Sequence, residues 1–423
     1  MDGGRRLLLL VPTQSYRADD FLAAARHLGV PVVIGSDRCH RIEDAFGATE
    51  GFLSLDYRHP ERAVEEIAAE AALRPIGGVV PGDDATAFIA AEAAERLGLR
   101  RNPPEAARRS ANKLAQREAL AAAGVPVPRF RAHDLAGGPG PAAREVGYPC
   151  VLKPLHLSGS RGVIRADDPE SFAAAWRRVE AILREARSDR KPSDEGSRGR
   201  ILVESFVPGA EVAVEGLLRD GHLEVLAIFD KPDPLDGPFF EETLYVTPSR
   251  HPPEVQEAIG ATVASAAGAL GLREGPLHAE LRLGPSGPVV LEVAARTIGG
   301  LCARSLRFGA GLSLEEIVVA HAMGLPVESL RREPCASGVM MIPIPRRGVL
   351  HGVGGLDRAR QVPGVEDVVI TAPEGREAVP LPEGDAYLGF LFARAGSPAE
   401  VEAALREAHR RLVLDIRPAL PTL

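Results

Sequence analysis

The chain has 423 residues, which is too long for one compact core and predicts two or three domains. Acidic residues outnumber basic residues by 58 to 50, and the net charge is −8. This balance gives no electrostatic footprint for nucleic acid or for an anionic membrane, so we expect small-molecule ligands.

The N-terminal apolar run, Leu7 to Val11, is stopped by Pro12. It is far shorter than the roughly 18 to 20 apolar residues that cross a bilayer, and no small-residue cleavage site follows it. We therefore expect the first β-strand of a cytoplasmic protein. The four cysteines are scattered without a CxxC pair, which argues against a disulfide framework or a zinc site.

Strand and helix signals alternate through the first hundred residues, which predicts βαβ units and a parallel sheet. The segment PGDD, residues 81–84, follows a predicted strand at its carboxyl end, where open α/β sheets place ligands. The alternative interpretation is a turn and a helix N-cap. The predicted strands are 7–11, 32–34 and 76–80, and the predicted helices are 19–28, 60–72 and 84–97.

Two changes of composition divide the chain. The first is at Asn102 to Pro104, where the residues favour a break between elements. The second follows Pro326, where the predicted elements become short strands and turns, followed by a helix over 398–412. We therefore predict an N-terminal α/β domain, a central domain and a C-terminal α+β domain. Their predicted ranges are 1–104, 105–326 and 327–423.

Lysines are rare, since only four occur among 50 basic residues. In a chain that otherwise uses arginine, a lysine is kept preferentially where a compact ammonium on a flexible stem is needed. Lys113, Lys153 and Lys231 are therefore candidate site residues. Lys191 lies in a polar stretch over 185–200 that we interpret as a mobile surface loop without a function.

The segment 148–163, YPCVLKPLHLSGSRGV, predicts a strand bearing Lys153, a Ser/Gly loop from Ser158 to Gly162, and a second strand. Glycines let backbone amides approach phosphate oxygens, and a lysine neutralises their charge. A plain hairpin with a flexible tip is the alternative. The patterns GxxxxGK[ST] and GxGxxG are both absent.

The segment 201–218 predicts two strands joined by a turn at Pro208 and Gly209. Alternation is expected to bury Leu202 and expose its neighbours, with Glu204 at the strand end and Glu211 beyond the turn. A strand end can pair with an adenine edge, and a nearby carboxylate can accept ribose hydroxyls. An ordinary hairpin with solvated glutamates is the alternative.

The segment 278–300, HAELRLGPSGPVVLEVAARTIGG, predicts two strands joined by the turn GPSG. Glu280 and Glu292 lie at similar distances on either side of this turn, so antiparallel pairing would bring their carboxylates together. Such a pair repels unless a cation lies between its members, and oxygen ligands of this kind suit Mg²⁺. Arg296 follows in position to reach the same phosphates. One glutamate per strand facing water is the alternative.

The order of these motifs resembles that of the ATP-grasp superfamily over about residues 105–325, and the segments GPLHAELRL and EVAAR are similar to the L-amino-acid ligases within it. The resemblance implies an ATP-grasp fold with an N-terminal Rossmann-like pre-ATP-grasp domain and a small nucleotide-binding subdomain at about 125–207. It also implies an ATP-dependent ligase that joins a carboxylate to an amine, in the manner of dipeptide synthesis, through an acyl phosphate. ADP and phosphate would be released. The implied partners are amino acids and a second copy of the chain, with no nucleic acid or membrane.

The resemblance further implies a role for each motif residue. For ATP, Lys113 and Lys153 would hold the α- and β-phosphates, Ser158, Gly159, Ser160 and Gly162 would close over the β/γ end, Glu204 and the Val207 backbone would flank adenine, and Glu211 would bind the ribose. For the metal, Glu280 and Glu292 would ligate Mg²⁺, or Mn²⁺. For the reaction, Arg296 would stabilise the acyl phosphate and the tetrahedral oxyanion, and His278 would line the amino-acid pocket. Ala294 stands where many members have an asparagine ligand, which puts a second metal site in doubt.

Two further residues are candidates for substrate binding. Lys231 lies in a Pro/Gly-rich stretch dense in acids and aromatics, with a surface hairpin as the alternative, and Arg304 could clamp a carboxylate from a helix beginning near Gly299. Two other functions also fit the motifs: a bicarbonate-using carboxylase of the biotin-carboxylase or purine-carboxylase kind, and an ATP-binding sensor module without turnover.

Overall fold

The computed structural model describes residues 4–12, 17–37, 51–186 and 199–418. Most of the predicted surface loop, including Lys191, lies outside this part of the chain, as does Cys39. No helix within these ranges is long and apolar enough to cross a membrane. Cys150, Cys302 and Cys335 are free thiols.

The N-terminal part is a four-stranded sheet with strand order β3-β2-β1-β4, and every pair in it is parallel. The predicted parallel sheet is thereby confirmed. Its central strand RLLLLV is buried at every position, because helices cover both faces of the sheet. The elements are β1 (Arg6–Val11), α1 (Ala18–His27), β2 (Val32–Ser36), β3 (Phe52–Ser54), α2 (Pro60–Leu73), β4 (Ile76–Pro81) and α3 (Asp84–Arg96).

Two short helices, α4 (Pro104–Ser110) and α5 (Lys113–Ala122), lead to a small antiparallel sheet with strand order β5-β8-β6-β7. Residues 201–203 of β8 are all buried, so the predicted alternation around Leu202 is wrong. The reason is that β8 is an inner strand, covered on both faces. The elements are β5 (Phe130–Asp134), α6 (Pro139–Val146), β6 (Cys150–Pro154), β7 (Ile164–Ala166), α7 (Pro169–Glu185) and β8 (Arg200–Ser205).

The largest sheet has eight strands in the order β13-β12-β9-β10-β11-β14-β18-β16, and neighbouring strands are antiparallel. Its first five strands come from the central part of the chain: β9 (Glu211–Arg219), β10 (His222–Lys231), β11 (Leu244–Thr247), β12 (Gly275–Gly284) and β13 (Gly287–Ala294). Helix α8 (Pro253–Leu270) packs on this part of the sheet through Ile259 and Val263, and it ends at Gly271 in the left-handed conformation.

The remaining strands of this sheet come from the C-terminal part, which also forms a small sheet with strand order β17-β15-β19. Helix α11 starts with a Ser397 capping box and a proline at its first position, which is a strong N-terminal signal. The elements are β14 (Ala336–Ile342), β15 (Gly348–Gly354), α10 (Leu356–Arg360), β16 (Val365–Ile370), β17 (Glu377–Ala378), β18 (Gly389–Ala395), α11 (Pro398–Arg410) and β19 (Val413–Arg417).

The parts of the chain are closely interleaved. Strand β11 pairs with β14, so the largest sheet continues across the predicted boundary at Pro326. Helix α9 (Leu314–Met323) returns to the N-terminal sheet, where Val318 and Val319 join the core that contains Leu7 and Leu9. The domain ranges given above stay predictions, and a cleft is enclosed where the parts meet.

Candidate active site

A cavity of about 380 Å³ lies where the N-terminal sheet, the small sheet and the eight-stranded sheet converge. Loops and strand ends from every part of the chain contribute to it, including Asp385 and Tyr387 from the C-terminal part. Most of the residues predicted from the motifs line this cavity. They are Lys113, Lys153, Ser158, Gly159, Ser160, Glu204, Val207, Glu211, His278, Glu280, Glu292 and Arg296.

The two glutamates of the β12–β13 hairpin are direct cross-strand partners. The register places Glu280 opposite Glu292, so the predicted antiparallel pairing is confirmed. Both side chains face the cavity, and cations lie beside them: Lys113 Nζ is 3.4 Å from a Glu292 oxygen, and Lys231 Nζ is 3.4 Å from a Glu280 oxygen. The carboxylate pair is therefore arranged to hold positive charge.

Glu242, which is absent from the sequence predictions, lies beside Glu280 and Glu211. Oxygens of Glu211, Glu242 and Glu280 lie within 4.8 Å of one another, which is close enough for a single cation. Burial and the neighbouring Glu280 raise the pKa of Glu242 above its usual range. This acidic cluster, as we call Glu211, Glu242 and Glu280, arises from three separate stretches of sequence.

Lys231 lies beneath the acidic cluster rather than in a loop. The structure places it at the end of strand β10 and almost fully buried, so the prediction of a loop position is wrong. Its Nζ lies 2.8 Å from Glu211 and 2.5 Å from Glu242. Burial acts to lower the pKa of Lys231, but the carboxylates outweigh it and raise the pKa well above the usual value. Lys231 therefore supports the carboxylates and does not itself line the cavity.

Glu204 is a buried counterion. It is 1% exposed, its Oε2 lies 2.7 Å from Lys153 Nζ, and its Oε1 accepts a hydrogen bond from Arg117 Nε. Burial alone would raise the pKa of Glu204, but Arg117 and Lys153 lower it to about 2. The alternative of a solvated glutamate is wrong, because α5 brings Arg117 over the inner strand. Glu204 thus fixes the ammonium of Lys153 at the cavity wall.

The loop 158–162 presents backbone groups to the cavity. Gly159, Ser160 and Gly162 have positive φ angles of 61°, 56° and 73°. Turns of this kind can form an anion-binding nest, for which the amides of Gly159 and Ser160 are the candidates, because those of Arg161 and Gly162 donate to the carbonyls of Ser158 and Pro382. Gly162 lies behind the loop, where a β-carbon would come 2.7 Å from Pro154 Cγ, and it is absent from the cavity lining.

The same loop is docked on the C-terminal part of the chain. Gly162 N donates to the Pro382 carbonyl at 2.9 Å, and a β-carbon at Gly159 would lie 3.1 Å from the Asp385 carbonyl oxygen. Nearby, Arg178 of α7 forms a two-point ion pair with Glu383 at 2.5 and 2.9 Å. The loop is therefore held in a closed position over the cavity.

His278 lies buried beside two carboxylates. Burial acts to lower its pKa, but the carboxylate of Glu215, 2.5 Å from Nδ1, raises it to about 9. Its Nε2 lies 3.4 Å from Glu280, and the other oxygen of Glu215 accepts from Ile298 N at 3.1 Å. Glu215 therefore connects His278 and Glu280 to the turn that carries Arg296.

Arg296 contacts the N-terminal part across the cavity. Its Nε and Nη2 both lie 2.8 Å from Asp84 Oδ2, and its Nη1 donates to the Thr297 carbonyl at 2.9 Å. Arg17 donates to Thr297 Oγ1 and to the Gly82 carbonyl from the same side. The PGDD segment thus supplies both an N-cap, at Asp83, and a cavity residue, at Asp84.

Arg304 lies elsewhere. It belongs to a 3₁₀ turn, Cys302–Ser305, instead of a longer helix, and it is absent from the residues that line the cavity. Its guanidinium pairs with Asp20 at 2.8 to 3.1 Å. The residues that sequence reasoning missed are Arg17, Asp84, Arg117, Glu215 and Glu242. Asp84, Glu215 and Glu242 lie in segments that it had noted, namely PGDD, 201–218 and the acid-rich stretch around Lys231.

Three family models match successive parts of the chain. They are an ATP-grasp N-terminal domain at residues 22–100, an ATP-grasp domain at 146–305 and an L-amino acid ligase C-terminal domain 2 at 340–417. Together they follow the chain order of the three structural parts.

Similar proteins agree with these matches. The crystal structure of an L-amino acid ligase from Bacillus licheniformis is 27% identical with a TM-score of 0.77, and the superposition covers 98% of this chain and 99% of that one. The uncharacterized protein y4rH of Sinorhizobium fredii is 27% identical over 99% of this chain and 84% of its own length. The alanine–anticapsin ligase of Bacillus subtilis is 28% identical over 66% of this chain, and the match spans 62% of that ligase.

Proposed function

We propose that this chain, which belongs to the ATP-grasp superfamily and is similar to its L-amino-acid ligases, joins a carboxylate to an amine at the expense of ATP. The substrates that we infer are two amino acids, and the products an amide, ADP and phosphate. One observation carries the proposal: the Glu280–Glu292 pair faces the same cavity as Lys113, Lys153 and Arg296. Two carboxylates, two lysine ammoniums and a guanidinium thus meet in one place.

ATP would lie between the small sheet and the eight-stranded sheet. Lys113 and Lys153 would neutralise the phosphates, and the nest at Ser158 to Ser160 would cover the transferred group. Adenine would lie along the main chain at Val207. Glu211, whose oxygens already accept from Lys231 and Arg282, would accept from the ribose as well. Because both Glu204 oxygens are engaged by Arg117 and Lys153, its proposed role changes from contacting adenine to orienting Lys153.

The donor set fits Mg²⁺, with Mn²⁺ as an alternative. Glu280 and Glu292 offer hard carboxylate oxygens on adjacent strands, and the neighbouring lysine ammoniums support the view that this region stabilises a cation. The ion, when bound, would supply charge neutralisation at the β- and γ-phosphates. Ala294 offers no third ligand at the position where an asparagine is common, so we propose these two glutamates as the core of the metal site.

The residues of the chain itself would position the reacting groups. Arg296 would lie against the acyl phosphate and neutralise the oxygen on which charge develops when the amine attacks. Glu242 and Asp84 present carboxylates suited to substrate ammonium groups, and Arg17 presents a cation suited to a substrate carboxylate. Lys231 and His278 would act by holding Glu280 and its neighbours in place. No protein nucleophile is needed.

Exclusion of water matters because an acyl phosphate hydrolyses readily. The loop 158–162 is closed against residues 382–385, which would keep solvent from the intermediate until the amine arrives. The closed loop therefore suits transfer to an amine better than hydrolysis.

A phosphate-release screen tests the proposal. Amino acids are supplied singly and in pairs with ATP and Mg²⁺, and phosphate is measured with malachite green. We expect release that depends on amino acids and falls by about 10²-fold or more in Glu292→Gln, with Glu224→Gln, on the exposed part of β10, as the matched control. Equal rates of phosphate release in wild type and Glu292→Gln would refute the assignment of Glu292 as a metal ligand.

The same screen separates the rival functions. Release that depends on bicarbonate and not on amino acids would favour a carboxylase. ATP binding without release under any condition would favour a sensor module. Light scattering of the purified chain tests the homodimer, which stays a prediction.

A further inference from the structure

A second cavity, of about 70 Å³, lies between the N-terminal sheet and the start of β12. It shares no lining residue with the active-site cavity. A single water needs roughly 10 to 15 Å³ on such a scale, so this space corresponds to about five waters or a molecule with about as many heavy atoms.

Most of its wall is apolar and built from small side chains. Four alanines of α3 line one side, and Val80 and Val318 line another; all are buried. The four alanines are Ala87, Ala90, Ala91 and Ala94, which share one face of the helix. Such a wall accommodates a methyl group or a similarly short aliphatic side chain.

The other wall carries two polar side chains that contact each other, because His321 Nε2 lies 3.1 Å from Glu274 Oε2. His321 is 5% exposed, and its Nε2 accepts from Gly275 N at 3.2 Å. Burial, with Arg100, lowers the pKa of His321 to about 4, and its Nδ1 has no hydrogen-bond partner within the described residues. Apart from this histidine, Glu274 Oε2 has no hydrogen-bond partner within the described residues, while Asp220 N donates to its Oε1 at 3.0 Å.

A cation completes the polar wall. Arg100 Nε lies 3.9 Å from Glu274 Oε2, and its Nη1 contacts the His321 carbonyl at 3.4 Å. The neighbouring Arg101 also lines the cavity, but its guanidinium is paired with Glu95 at 2.9 Å. Arg100 is therefore the guanidinium better placed to receive an anionic group.

Asn102 fixes the backbone that carries Glu274. Asn102 Oδ1 accepts from the backbone nitrogens of Arg273 and Glu274 at 2.7 and 2.8 Å, and its Nδ2 donates to the Glu274 carbonyl at 2.8 Å. The cavity is thus preorganised, which lowers the entropic cost of binding a ligand.

We propose that this cavity binds a small zwitterionic α-amino acid. Its ammonium would lie on Glu274, its carboxylate on Arg100, and its short side chain among the α3 alanines. Two residues of the wall, Pro81 and Ala295, lie next in the chain to the segments that carry Asp84 and Arg296. The occupant would therefore sit behind the ion pair that links the N-terminal part to the active site.

Calorimetric titration of the full chain with L-alanine, without ATP, tests this site separately from catalysis. The titration uses Glu242→Gln as the background, which removes one of the two carboxylates, Glu242 and Asp84, proposed to bind ammonium groups in the active site. The variants of Glu274 and Arg100 then distinguish binding in the second cavity from binding in the first. We expect binding to persist in the Glu242→Gln background and to weaken about ten- to a hundredfold on adding Glu274→Gln or Arg100→Gln. Arg101→Gln, which makes the same charge change at the adjacent residue, should leave the affinity unchanged. Melting curves of each variant verify folding.

Three results would overturn the proposal: no binding in the Glu242→Gln background at tens of millimolar L-alanine, an unchanged affinity after Glu274→Gln and Arg100→Gln, or propionate binding as tightly as L-alanine. The last result would show that the ammonium makes no contact. A failure of the ligase proposal would instead appear as absent phosphate release, which this titration does not measure.

Discussion

Glu204→Gln is expected to destabilise the small sheet strongly, because it leaves the buried guanidinium of Arg117 without a counterion. Both side chains are 1% exposed. The pKa of Glu204 falls from 4.5 to about 2 in the folded state, a difference worth roughly 3 kcal/mol. Removing one partner of a buried ion pair costs about 3–5 kcal/mol, so we expect a loss of about 3 kcal/mol in the free energy of unfolding.

The chain offers a direct assay for this part of the molecule. Trp176 is the only tryptophan and lies buried in α7, in the core of the small sheet. Its emission during urea denaturation therefore reports the unfolding of that subdomain. The matched control is Glu180→Gln on the same helix, which breaks an exposed pair with Arg184 and should cost only about 0.3–0.5 kcal/mol.

The pH dependence follows from the sign of the shift. Because folding lowers the pKa of Glu204, its contribution is present above pH 4.5 and is lost as the pH falls towards 2. The difference between wild type and Glu204→Gln should therefore be constant near neutral pH and should narrow below about pH 4.5. A difference under about 1 kcal/mol at pH 7 would refute the reasoning, since it would mean that water or other groups already compensate Arg117.

Three further variants probe the active site. Arg296→Lys should lower kcat for amide formation by about 10²- to 10³-fold, because a point charge replaces the two-point guanidinium. The control, Arg304→Lys, should have the kcat and KM of the wild type. A raised KM of Arg304→Lys for an amino acid would instead favour a substrate clamp at Arg304. Lys231→Met should lower the melting temperature, because the acidic cluster loses its internal cation. Adding MgCl₂ should then raise the melting temperature of this variant more than that of the wild type. An equal rise in both proteins would contradict the role of Lys231 as the cation that neutralises the cluster. Glu383→Gln should raise the KM for ATP only a few-fold, since the ion pair between Glu383 and Arg178 is partly exposed. An unchanged KM would show that this ion pair does not contribute to closing the loop 158–162.

Local patterns in the sequence predict much of the fold and of the candidate site. Strand and helix alternation predicts the N-terminal sheet, and a four-residue turn flanked by apolar strands predicts that Glu280 faces Glu292. These features depend on residues close together in the chain, so their geometry follows from period and turn type. The same holds for the glycine-rich loop after Lys153.

The remainder depends on contacts between distant segments. Arg117 meets Glu204 across 87 residues and Asp84 meets Arg296 across 212, so no local pattern marks either pair. Glu242 looks like one acid among several until β10 and β11 bring it beside Glu280. Strand burial also failed as a local inference at Leu202, because the inner position of β8 is set by its two neighbouring strands.

The continuous eight-stranded sheet constrains how the molecule can move. Separating the C-terminal part from the central part would break the ladder between β11 and β14, which is costly compared with bending a connection. Within the described residues, the small sheet shares no strand ladder with the large one. It is held by an isolated bridge between Ile164 and Phe239 and by a few polar contacts around Pro382 and Glu383. Nucleotide exchange is therefore expected to proceed by swinging the small sheet as a hinged cover, while the floor of the cleft keeps its shape throughout the catalytic cycle.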